Sequence, residues 1–510
     1  MSFEGQDHHP HRRGYPPSPD LLLESHKSVP PGLELVQAHW FTRHGERAPV
    51  RQRMVGLGDI PAVFSLCTVG RHFTSAVLTL SPSNASSQTS SSLRSSPSPS
   101  NPFLSTTRHT TTHSSSPPPE SASTPPYAAP LDPNPFQLPV TRLTQNVASS
   151  DDNTTANPSL PTRGGLSDCY WGELTDLGRE STLRFGSILR EVYTSPSSSS
   201  STPFLPRELD TRMLNEGVVQ FRSTNMPRTI ESLHQIITGL WPVSARNPRD
   251  ENFPIHFMVR NWMDENLYPN AVCKRLRQLD VLSIAQAAKT NNPDLAQFDK
   301  DLKDVFGLEK GLRIDSSPRA SGVLDTLMVC RAHGIRVPEV FEERRVLEGL
   351  ERAVVHEWFD GYNNPEFKRL AMGRLLSDLH GYLSLKIAQP EKEKLKLSIN
   401  SCHDTSLGGI LNALDAFNGR WPAFTSHIGI ELYKSPSPAI EKPAPTSPDT
   451  RHFVRVLYNG RLLSLPGCAS AGNHLEGTEG KVCTWEAFKG VLDKVKMSEK
   501  EWKEACGNTE

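Results

Sequence analysis

Apolar residues follow strand spacing in five short runs of the chain. These runs are residues 33–41, 218–221, 394–400, 427–433 and 453–465. The last run contains the pair Asn459 and Gly460, which is typical of a tight hairpin turn. Polar residues follow the first, second and third runs directly, so we expect polar side chains at the ends of three strands.

Helical spacing fills much of the chain between these runs. LTDLGRESTLRFGSILREVY (174–193) predicts a long helix with Thr175 as its N-cap, and LGGILNALDAF (407–417) predicts a helix directly after the third run. The segment from about 250 to 390 is largely helical and predicts a helical cap subdomain. This order predicts an α/β fold with a mostly parallel sheet flanked by helices, and such sheets bind ligands beyond the carboxyl ends of their strands.

Composition changes sharply along the chain. The 510 residues include 43 prolines, more than a compact fold needs, and the stretch 81–161 is rich in serine, threonine and proline. Such sequence cannot bury enough apolar surface to offset its conformational entropy, so it predicts a disordered insertion. We predict a disordered tail at 1–32 and one folded domain at 33–80 and 162–510, with the cap at about 250–390 inserted into it.

Charge and cysteine usage narrow the possible partners. The 55 lysines and arginines nearly cancel the 56 aspartates and glutamates, so nucleic acid is not an expected partner. No apolar run approaches the roughly 20 residues of a transmembrane helix, and no secretory signal is visible at the N-terminus. We therefore expect an intracellular protein, cytoplasmic rather than mitochondrial. The eight cysteines are predicted to be reduced, with pairing of Cys468 and Cys483 left open.

The first polar strand end is RHGERAP, residues 43–49. Arg43 and Arg47 flank His44, and arginine offers a planar, permanently charged fork of donors that suits phosphate oxygens. Gly45 would let the backbone approach a ligand. A surface loop is the usual interpretation of an isolated Arg-His-Gly triplet, but the whole string favours an anion site.

Two more strand ends carry residues that suit phosphate chemistry. FRSTN (221–225) presents Arg222, and SCHDT (401–405) presents His403 and Asp404. A histidine that donates to a phosphoryl oxygen beside a carboxylic acid for the leaving group is what a phosphomonoesterase requires. Taken singly, each motif favours a structural interpretation, a salt bridge for Arg222 and a structural pair for His403 and Asp404.

The three motifs together resemble the histidine acid phosphatase branch of the phosphoglycerate-mutase-like superfamily. RHGERAP matches its RHGxRxP signature, FRST its middle arginine motif and HDT its C-terminal motif, in the same chain order. FRSTNMPRTIESL, RWPAFTSHIGIELY and the VCTWEAF segment are most similar to the lysophosphatidic-acid phosphatase group. HDTS replaces the more usual HDTT, and the long insertion after the first motif departs from the family pattern.

The resemblance implies a phosphatase that works through a phosphohistidine intermediate. His44 would be the nucleophile, and Asp404 the acid and then the base. The phosphate would be bound by Arg43, Arg47, Arg222 and His403. The implied fold is phosphoglycerate-mutase-like, and the expected partner is a small phosphate monoester, with a lysophospholipid such as lysophosphatidic acid as the first candidate.

Alternative functions remain open at the sequence level. The chain could be a phytase or another inositol or sugar phosphate phosphatase, or a non-catalytic phosphate-binding scaffold. The mechanism calls for no metal and no cofactor. His8, His9 and His11 cluster near the N-terminus, but no carboxylate or cysteine completes a metal site there, so we interpret them as part of a solvated tail.

Overall fold

The computed structural model describes residues 19–69, 143–144, 162–163, 167–196, 203–246, 255–306, 311–435 and 451–507. Apart from Val69, all of these belong to one compact unit formed by Met1–Thr68 and Arg142–Glu510. The predicted insertion at 81–161 lies outside the described residues, except for its strand Leu143–Thr144, and so does the histidine cluster at 8–11.

The described part of the chain contains nine strands and twelve α-helices. The strands are β1 Glu34–Arg43, β2 Leu143–Thr144, β3 Thr162–Arg163, β4 Val219–Ser223, β5 Leu397–Cys402, β6 His427–Lys434, β7 His452–Tyr458, β8 Arg461–Leu462 and β9 Val482–Thr484. The helices are α1 Pro19–Lys27, α2 Asp176–Thr194, α3 Thr211–Asn215, α4 Pro227–Leu240, α5 Lys274–Ala296, α6 Asp299–Phe306, α7 Ala320–Ala332, α8 Arg344–Phe359, α9 Pro365–Ala388, α10 Asp404–Ala413, α11 Trp485–Asp493 and α12 Glu499–Ala505. Among these, no helix has the length and apolar character needed to cross a membrane.

The main sheet has the order β4-β5-β1-β6-β7-β8, with β9 paired to β7. β4, β5 and β1 are parallel, whereas β6 to β9 join by antiparallel ladders. The predicted α/β fold is confirmed, but the sheet is mixed rather than mostly parallel. Part of the reason is the turn at Asn459 and Gly460, both with positive φ, because so short a connection can only return the chain antiparallel.

Strand β1 is buried on both faces from Gln37 onward, although five of its ten residues are polar. The buried Gln37 and His39 hydrogen-bond to each other. Trp40 packs into an apolar cluster with residues of α2 and α4, while Phe41 packs into a second cluster with residues of α9 and α10. Thr175 caps α2 as predicted, because its side chain accepts from the backbone N–H of Gly178. The sheet therefore lies between two helical layers.

A third apolar cluster forms beside the sheet. It joins the loop after the first motif, including Ile60 and Phe64, to residues of α5, α7 and α8. Helix α9 lies within the predicted cap region, yet it packs on the sheet through residues such as Leu379. The domain boundaries given above stay a prediction.

The N-terminal segment contains a helix where the sequence predicts a disordered tail. Helix α1 buries Leu22 against the α2 side of the sheet, and the carbonyl of Ser25 accepts from Arg455 Nη1 at 2.9 Å. The three leucines at 21–23 explain this docking, because they give α1 an apolar face although the surrounding sequence is polar.

Six of the eight cysteines form disulfides, so the prediction of reduced thiols is wrong for them. The pairs are Cys67–Cys169, Cys273–Cys506 and Cys468–Cys483, and Cys330 and Cys402 are free and buried. Two of the pairs are separated by 102 and 233 residues, so only the tertiary fold brings their partners together. Cys468 and Cys483, only 15 residues apart, are the pair that the sequence left open.

Loss of the Cys273–Cys506 disulfide is expected to lower the free energy of unfolding by about 2–5 kcal/mol, because the disulfide restricts a long loop of the unfolded chain. Urea unfolding of a variant with serine at both positions measures this. The matched variant lacking Cys468–Cys483, which closes a far shorter loop, should lose less. Unchanged stability in both variants would contradict the pairing.

Candidate active site

The carboxyl ends of three parallel strands bring the predicted motifs to one edge of the sheet. Arg43 on β1 is in register with Cys402 on β5, so His44 and His403 follow their strands side by side. Their ring centroids lie 5.7 Å apart. The backbone N–H of His44 donates to the carbonyl of Cys402 at 3.1 Å, which fixes the two loops relative to each other.

Two glycines let the first motif pack directly on the start of α2. A Cβ at Gly45 would collide with the carbonyl of Gly178, and a Cβ at Gly178 would collide with the carbonyl of Glu46. The sequence interpretation assigned Gly45 to close approach of a ligand. In the structure, the neighbour that requires glycine is the helix backbone.

Hydrogen bonding prepares His44 to attack through one ring nitrogen. Its Nδ1 lies 2.9 Å from the carbonyl oxygen of Gly45. A carbonyl only accepts, so Nδ1 carries the proton and Nε2 keeps its lone pair. Burial, and then the positive charges of Arg228, Arg43 and Arg47, hold the pKa of His44 well below its ordinary value. The imidazole is therefore neutral in mildly acid solution, as a nucleophile must be.

Arg43 and Asp404 form an ion pair at the floor of the site. Arg43 Nη2 lies 2.8 Å from Asp404 Oδ2, and Arg43 Nη1 donates to the carbonyl of Pro422 at 2.5 Å. Burial alone would raise the pKa of Asp404, but the charges of Arg43 and Arg47 outweigh burial and keep this pKa below its usual value. The carboxyl is therefore ionised when no substrate is bound.

Arg47 is held by Asp325 from helix α7. Arg47 Nη2 donates to Asp325 Oδ1 at 2.7 Å, and the backbone N–H of Val50 donates to the other carboxylate oxygen at 3.2 Å. The ring of Phe424 lies beneath both arginines of the motif, with its centroid 4.2 Å from the guanidinium carbon of Arg43. These contacts fix the direction of both guanidiniums before any anion binds.

His403 lies across from His44 in a nearly buried position. Its Nε2 lies 3.0 Å from the hydroxyl of Thr224, which in turn contacts the hydroxyl of Thr229 at 2.8 Å. Burial, and then the charge of Arg228, lowers the pKa of His403 to about 3, although Asp404 opposes this. Thr224 belongs to the FRSTN motif, but its contact with His403 was not predicted from the sequence.

The structure does not bring the predicted Arg222 into this group. It stands opposite Asn400 in the sheet register, three residues before His403, which corresponds to about 10 Å along a strand. Its Nη2 donates to Glu265 Oε1 at 2.5 Å and to Asn266 Oδ1 at 2.7 Å. The guanidinium of Arg222 therefore does not reach the carboxyl edge of the sheet, where His44 and His403 lie.

Arg228 is a site residue that the sequence interpretation missed. It lies in the first turn of α4, directly after Pro227, and its charge acts on His44, His403 and Asp404. Burial, followed by the charge of Arg47, lowers the pKa of Arg228 to about 10, so it stays cationic. A signal was available in FRSTNMPRT, because an arginine in the first turn of a helix is well placed for an anion.

The three guanidiniums retain donors for a ligand. The Nε atoms of Arg43, Arg47 and Arg228 are buried and have no hydrogen-bond partner within the described part of the chain. Unsatisfied buried donors are costly, and three cationic donors around a neutral imidazole form a site for a multiply charged anion. A phosphoryl group, with three peripheral oxygens, suits this arrangement.

Arg228→Gln is expected to lower kcat/KM for p-nitrophenyl phosphate by about 10²–10³-fold, because a charge-stabilising donor is lost. The pKa of His44 should also rise, since Arg228 helps to lower it. Protonated His44 cannot attack, so the acid limb of the pH profile should move to higher pH. The control is Arg184→Gln on the exposed face of α2. An acid limb at the wild-type pH would contradict this role.

A cavity of about 360 Å³ opens beside Arg43, Arg47 and Asp404 and is also lined by residues of α7 and α8. One part of its wall is apolar and includes Met328, Trp358 and Trp421, the two indoles packed edge to face at 5.9 Å. Another part carries further arginines, namely Arg51, Arg53 and Arg319. The mouth of the site thus offers both apolar and cationic surface to the group attached to a bound phosphate.

Relatives with known names share this chain's sequence. A probable acid phosphatase of Schizosaccharomyces pombe is 32% identical over 414 residues, which cover 80% of this chain and 74% of that one. The lysophosphatidic acid phosphatase type 6 of Pongo abelii is 24% identical over 358 residues, covering 68% of this chain and 71% of that one.

The fold has a relative among solved structures. The multiple inositol polyphosphate phosphatase of Bifidobacterium longum, solved with inositol hexasulfate, matches with a TM-score of 0.52 and 11% identity. The match covers 96% of this chain and 99% of that one, and at this identity it shows the fold alone.

The family model of the histidine phosphatase superfamily (branch 2) matches residues 34–459, which contain all three motifs. The resemblance seen in the sequence is thereby confirmed. The chain belongs to branch 2 of the histidine phosphatase superfamily, and it is an acid phosphatase that hydrolyses phosphate monoesters.

Proposed function

We propose that this acid phosphatase transfers the phosphoryl group of its substrate to Nε2 of His44 and that water then releases it. Arg43, Arg47 and Arg228 form a phosphate clamp, which holds the phosphoryl oxygens and neutralises the charge that spreads over them in the transition state. Asp404 gives a proton to the leaving oxygen and later takes one from the attacking water.

One observation carries this assignment. Three guanidiniums, each with a buried Nε that has no partner among the described residues, act on an imidazole whose proton is fixed on Nδ1. His403 stands beside them as a further donor for a phosphoryl oxygen. A site that only bound phosphate would not need a neutral histidine with its lone pair held free among three cations, because a protonated histidine would bind the anion better.

The proton on Asp404 has to come with the substrate. In the unliganded site the two motif arginines keep this carboxyl ionised. A bound phosphate neutralises those arginines and adds negative charge nearby, so it raises the pKa of Asp404. We infer that the substrate enters as the monoanion, whose proton moves to Asp404, which fits an enzyme that works in acid.

We propose lysophosphatidic acid, or another phosphate monoester with a long apolar chain, as the substrate class. Trp358, Trp421 and Met328 offer an apolar wall next to the phosphate clamp, on which an acyl chain can pack. Relatives at 24% identity carry the name lysophosphatidic acid phosphatase, which agrees with this choice.

An inositol polyphosphate is the second candidate. Arg51, Arg53 and Arg319 line the same cavity, and additional phosphates on a substrate ring would meet these cations. The two candidates differ in which wall of the cavity they use.

Variants of the two walls separate the candidates. Trp358→Ala should lower kcat/KM for lysophosphatidic acid below its critical micelle concentration by about tenfold, because apolar contact area is lost. Turnover of p-nitrophenyl phosphate, which is too small to reach far along the wall, should change less than twofold. Phytate hydrolysed faster than lysophosphatidic acid, and slowed by Arg319→Gln while Trp358→Ala has no effect, would establish the second candidate instead.

The disulfides bear on the location of the protein. The sequence predicts an intracellular protein, cytoplasmic rather than mitochondrial, and three disulfides are unusual in a reducing cytosol. We propose that the chain matures in an oxidising compartment. Alkylation of free thiols in lysed cells, followed by mass spectrometry, should find six cysteines protected. Alkylation of the six cysteines that pair in the structure would favour the cytoplasmic prediction.

A further inference from the structure

A buried ionic network lies beneath the sheet edge, next to the proposed site. Arg222 from β4 and Glu265 from the segment before α5 form its centre, and both side chains are almost fully buried. Burying a charged pair is costly unless hydrogen bonds satisfy it. In this network the bonds serve to hold one particular loop.

Glu265 organises the backbone that follows it. Its Oε1 accepts from Arg222 Nη2 at 2.5 Å and from the backbone N–H groups of Asn266 and Leu267, each at 2.8 Å. The carbonyl of Glu265 accepts from Arg374 Nη2 and from Asn270 Nδ2, both at 2.9 Å. The segment 265–267 is therefore fixed by donors from two sides.

The chain just before this segment is attached to β4. Met258 pairs with Arg222 in a parallel bridge, and the backbone N–H of Ser223 donates to the carbonyl of Met258 at 2.9 Å. Arg222 thus holds the segment by its backbone at one point and by its side chain at another. Tyr268 follows Leu267 directly in the chain.

Tyr268 packs against the imidazole of His403. The two ring centroids lie 5.7 Å apart at an interplanar angle of 69°, an edge-to-face arrangement. Thr224 contacts one ring nitrogen of His403 at 3.0 Å, so the tyrosine and the threonine together determine the orientation of this imidazole. Tyr268 is itself only half-buried, so its position depends on the loop that carries it.

We propose that Arg222 and Glu265 are positioning residues, which hold Tyr268 against His403 and so orient His403 toward the phosphoryl group. This inference rests on the function proposed above. Arg222 then contributes to catalysis without touching phosphate. A loop shift of about 1 Å would turn His403 away from its productive direction, and misplacements of that size cost up to about 10²-fold in rate.

A double-mutant cycle tests the chain of contacts. Tyr268→Ala should lower kcat for p-nitrophenyl phosphate by about tenfold, whereas Tyr268→Phe, which keeps the ring, should stay within twofold of wild type. Arg222→Met should also lower kcat by about tenfold. If Arg222 acts through Tyr268, the double variant should be no slower than the slower single variant.

Inhibition by inorganic phosphate provides the second readout. The three guanidiniums of the clamp are intact in these variants and only the contact of His403 with phosphate is disturbed, so the inhibition constant should rise by no more than about fivefold. A direct phosphate contact by Arg222 would instead raise this constant at least tenfold and make the two losses multiply, and that result would overturn the proposal. Arg275→Met is the matched control, because Arg275 forms its ion pair with Glu366, outside this network.

A second variant keeps the test decisive if Arg222→Met does not fold. Arg222→Met/Glu265→Leu replaces the buried pair by apolar side chains, a change that is often neutral for stability. It also removes the oxygen that accepts from the backbone N–H groups of Asn266 and Leu267, so it should reproduce the tenfold loss in kcat. Wild-type kcat in this double variant would also overturn the proposal. Failure of the proposed function would show differently, as a wild-type enzyme that forms no phosphohistidine at all.

Discussion

His44→Ala should lower kcat for phosphate monoesters by at least about 10⁴-fold, because the Nε2 atom of His403, the second imidazole of the site, is already in contact with the hydroxyl of Thr224. The fold should survive, since His44 lies in a loop at the end of β1 and its removal leaves the apolar clusters intact. Steady-state turnover of p-nitrophenyl phosphate measures the loss, and thermal unfolding shows that the variant is native.

The same variant should still bind phosphate. The clamp of Arg43, Arg47 and Arg228 does not depend on the imidazole, so isothermal titration with inorganic phosphate should give an affinity within about tenfold of wild type. His234→Ala, which removes an exposed histidine from α4, is the matched control and should retain full activity. Turnover of His44→Ala near the wild-type rate would mean that another residue is the nucleophile.

Asp404→Asn should cause a loss that depends on the leaving group. The variant keeps the clamp and the nucleophile but has no proton to donate, so an alkyl phosphate should lose about 10²–10⁴-fold in kcat/KM. A p-nitrophenolate ion leaves without a proton, so kcat/KM for p-nitrophenyl phosphate should fall far less. The second step should slow for both substrates, because water has lost its base.

The pH dependence of the two substrates adds a check. The pKa of Asp404 is low in the free enzyme, and we expect bound phosphate to raise it, so the wild-type enzyme should gain activity on alkyl phosphates as pH falls toward the pKa of the bound state. The Asn variant should lack this gain. Equal losses on both substrates would indicate that Asp404 only orients Arg43, with which it forms an ion pair.

The polar residues at the strand ends were predictable, because each strand and the motif that follows it are adjacent in the sequence. An apolar strand followed by RHGERAP or SCHDT predicts that the polar residues leave the sheet at its carboxyl edge, and the register of β1 and β5 places His44 and His403 there. The cap of α2 at Thr175 was predictable for the same reason, since a local hydrogen bond depends only on neighbouring residues.

The place of Arg222 was not predictable from its motif alone. The motif suggested a strand that delivers an arginine, but Arg222 lies within β4 rather than after it, and its partners Glu265 and Asn266 are some 40 residues away in the chain. Arg228 comes after the strand and enters a helix. If only arginines after the last residue of β4 had been considered, Arg228 would have been identified instead of Arg222.

Disulfides and sheet direction depend on distant parts of the chain. Cys273 meets Cys506 only because α12 packs on the helices that precede it, and no spacing in the sequence encodes that contact. Likewise, β6 pairs antiparallel with β1 although its apolar alternation would suit either direction. Periodicity predicts burial of a strand but leaves its direction open.

Rapid quenching of the wild-type enzyme during turnover tests the central claim most directly. A substrate with a labelled phosphoryl group should leave label on the protein that is stable in base and lost in acid, the behaviour of a phosphoramidate bond. Peptide mass spectrometry should place it on His44. Label on any other residue, or no labelled protein while substrate is hydrolysed within the dead time, would contradict the account.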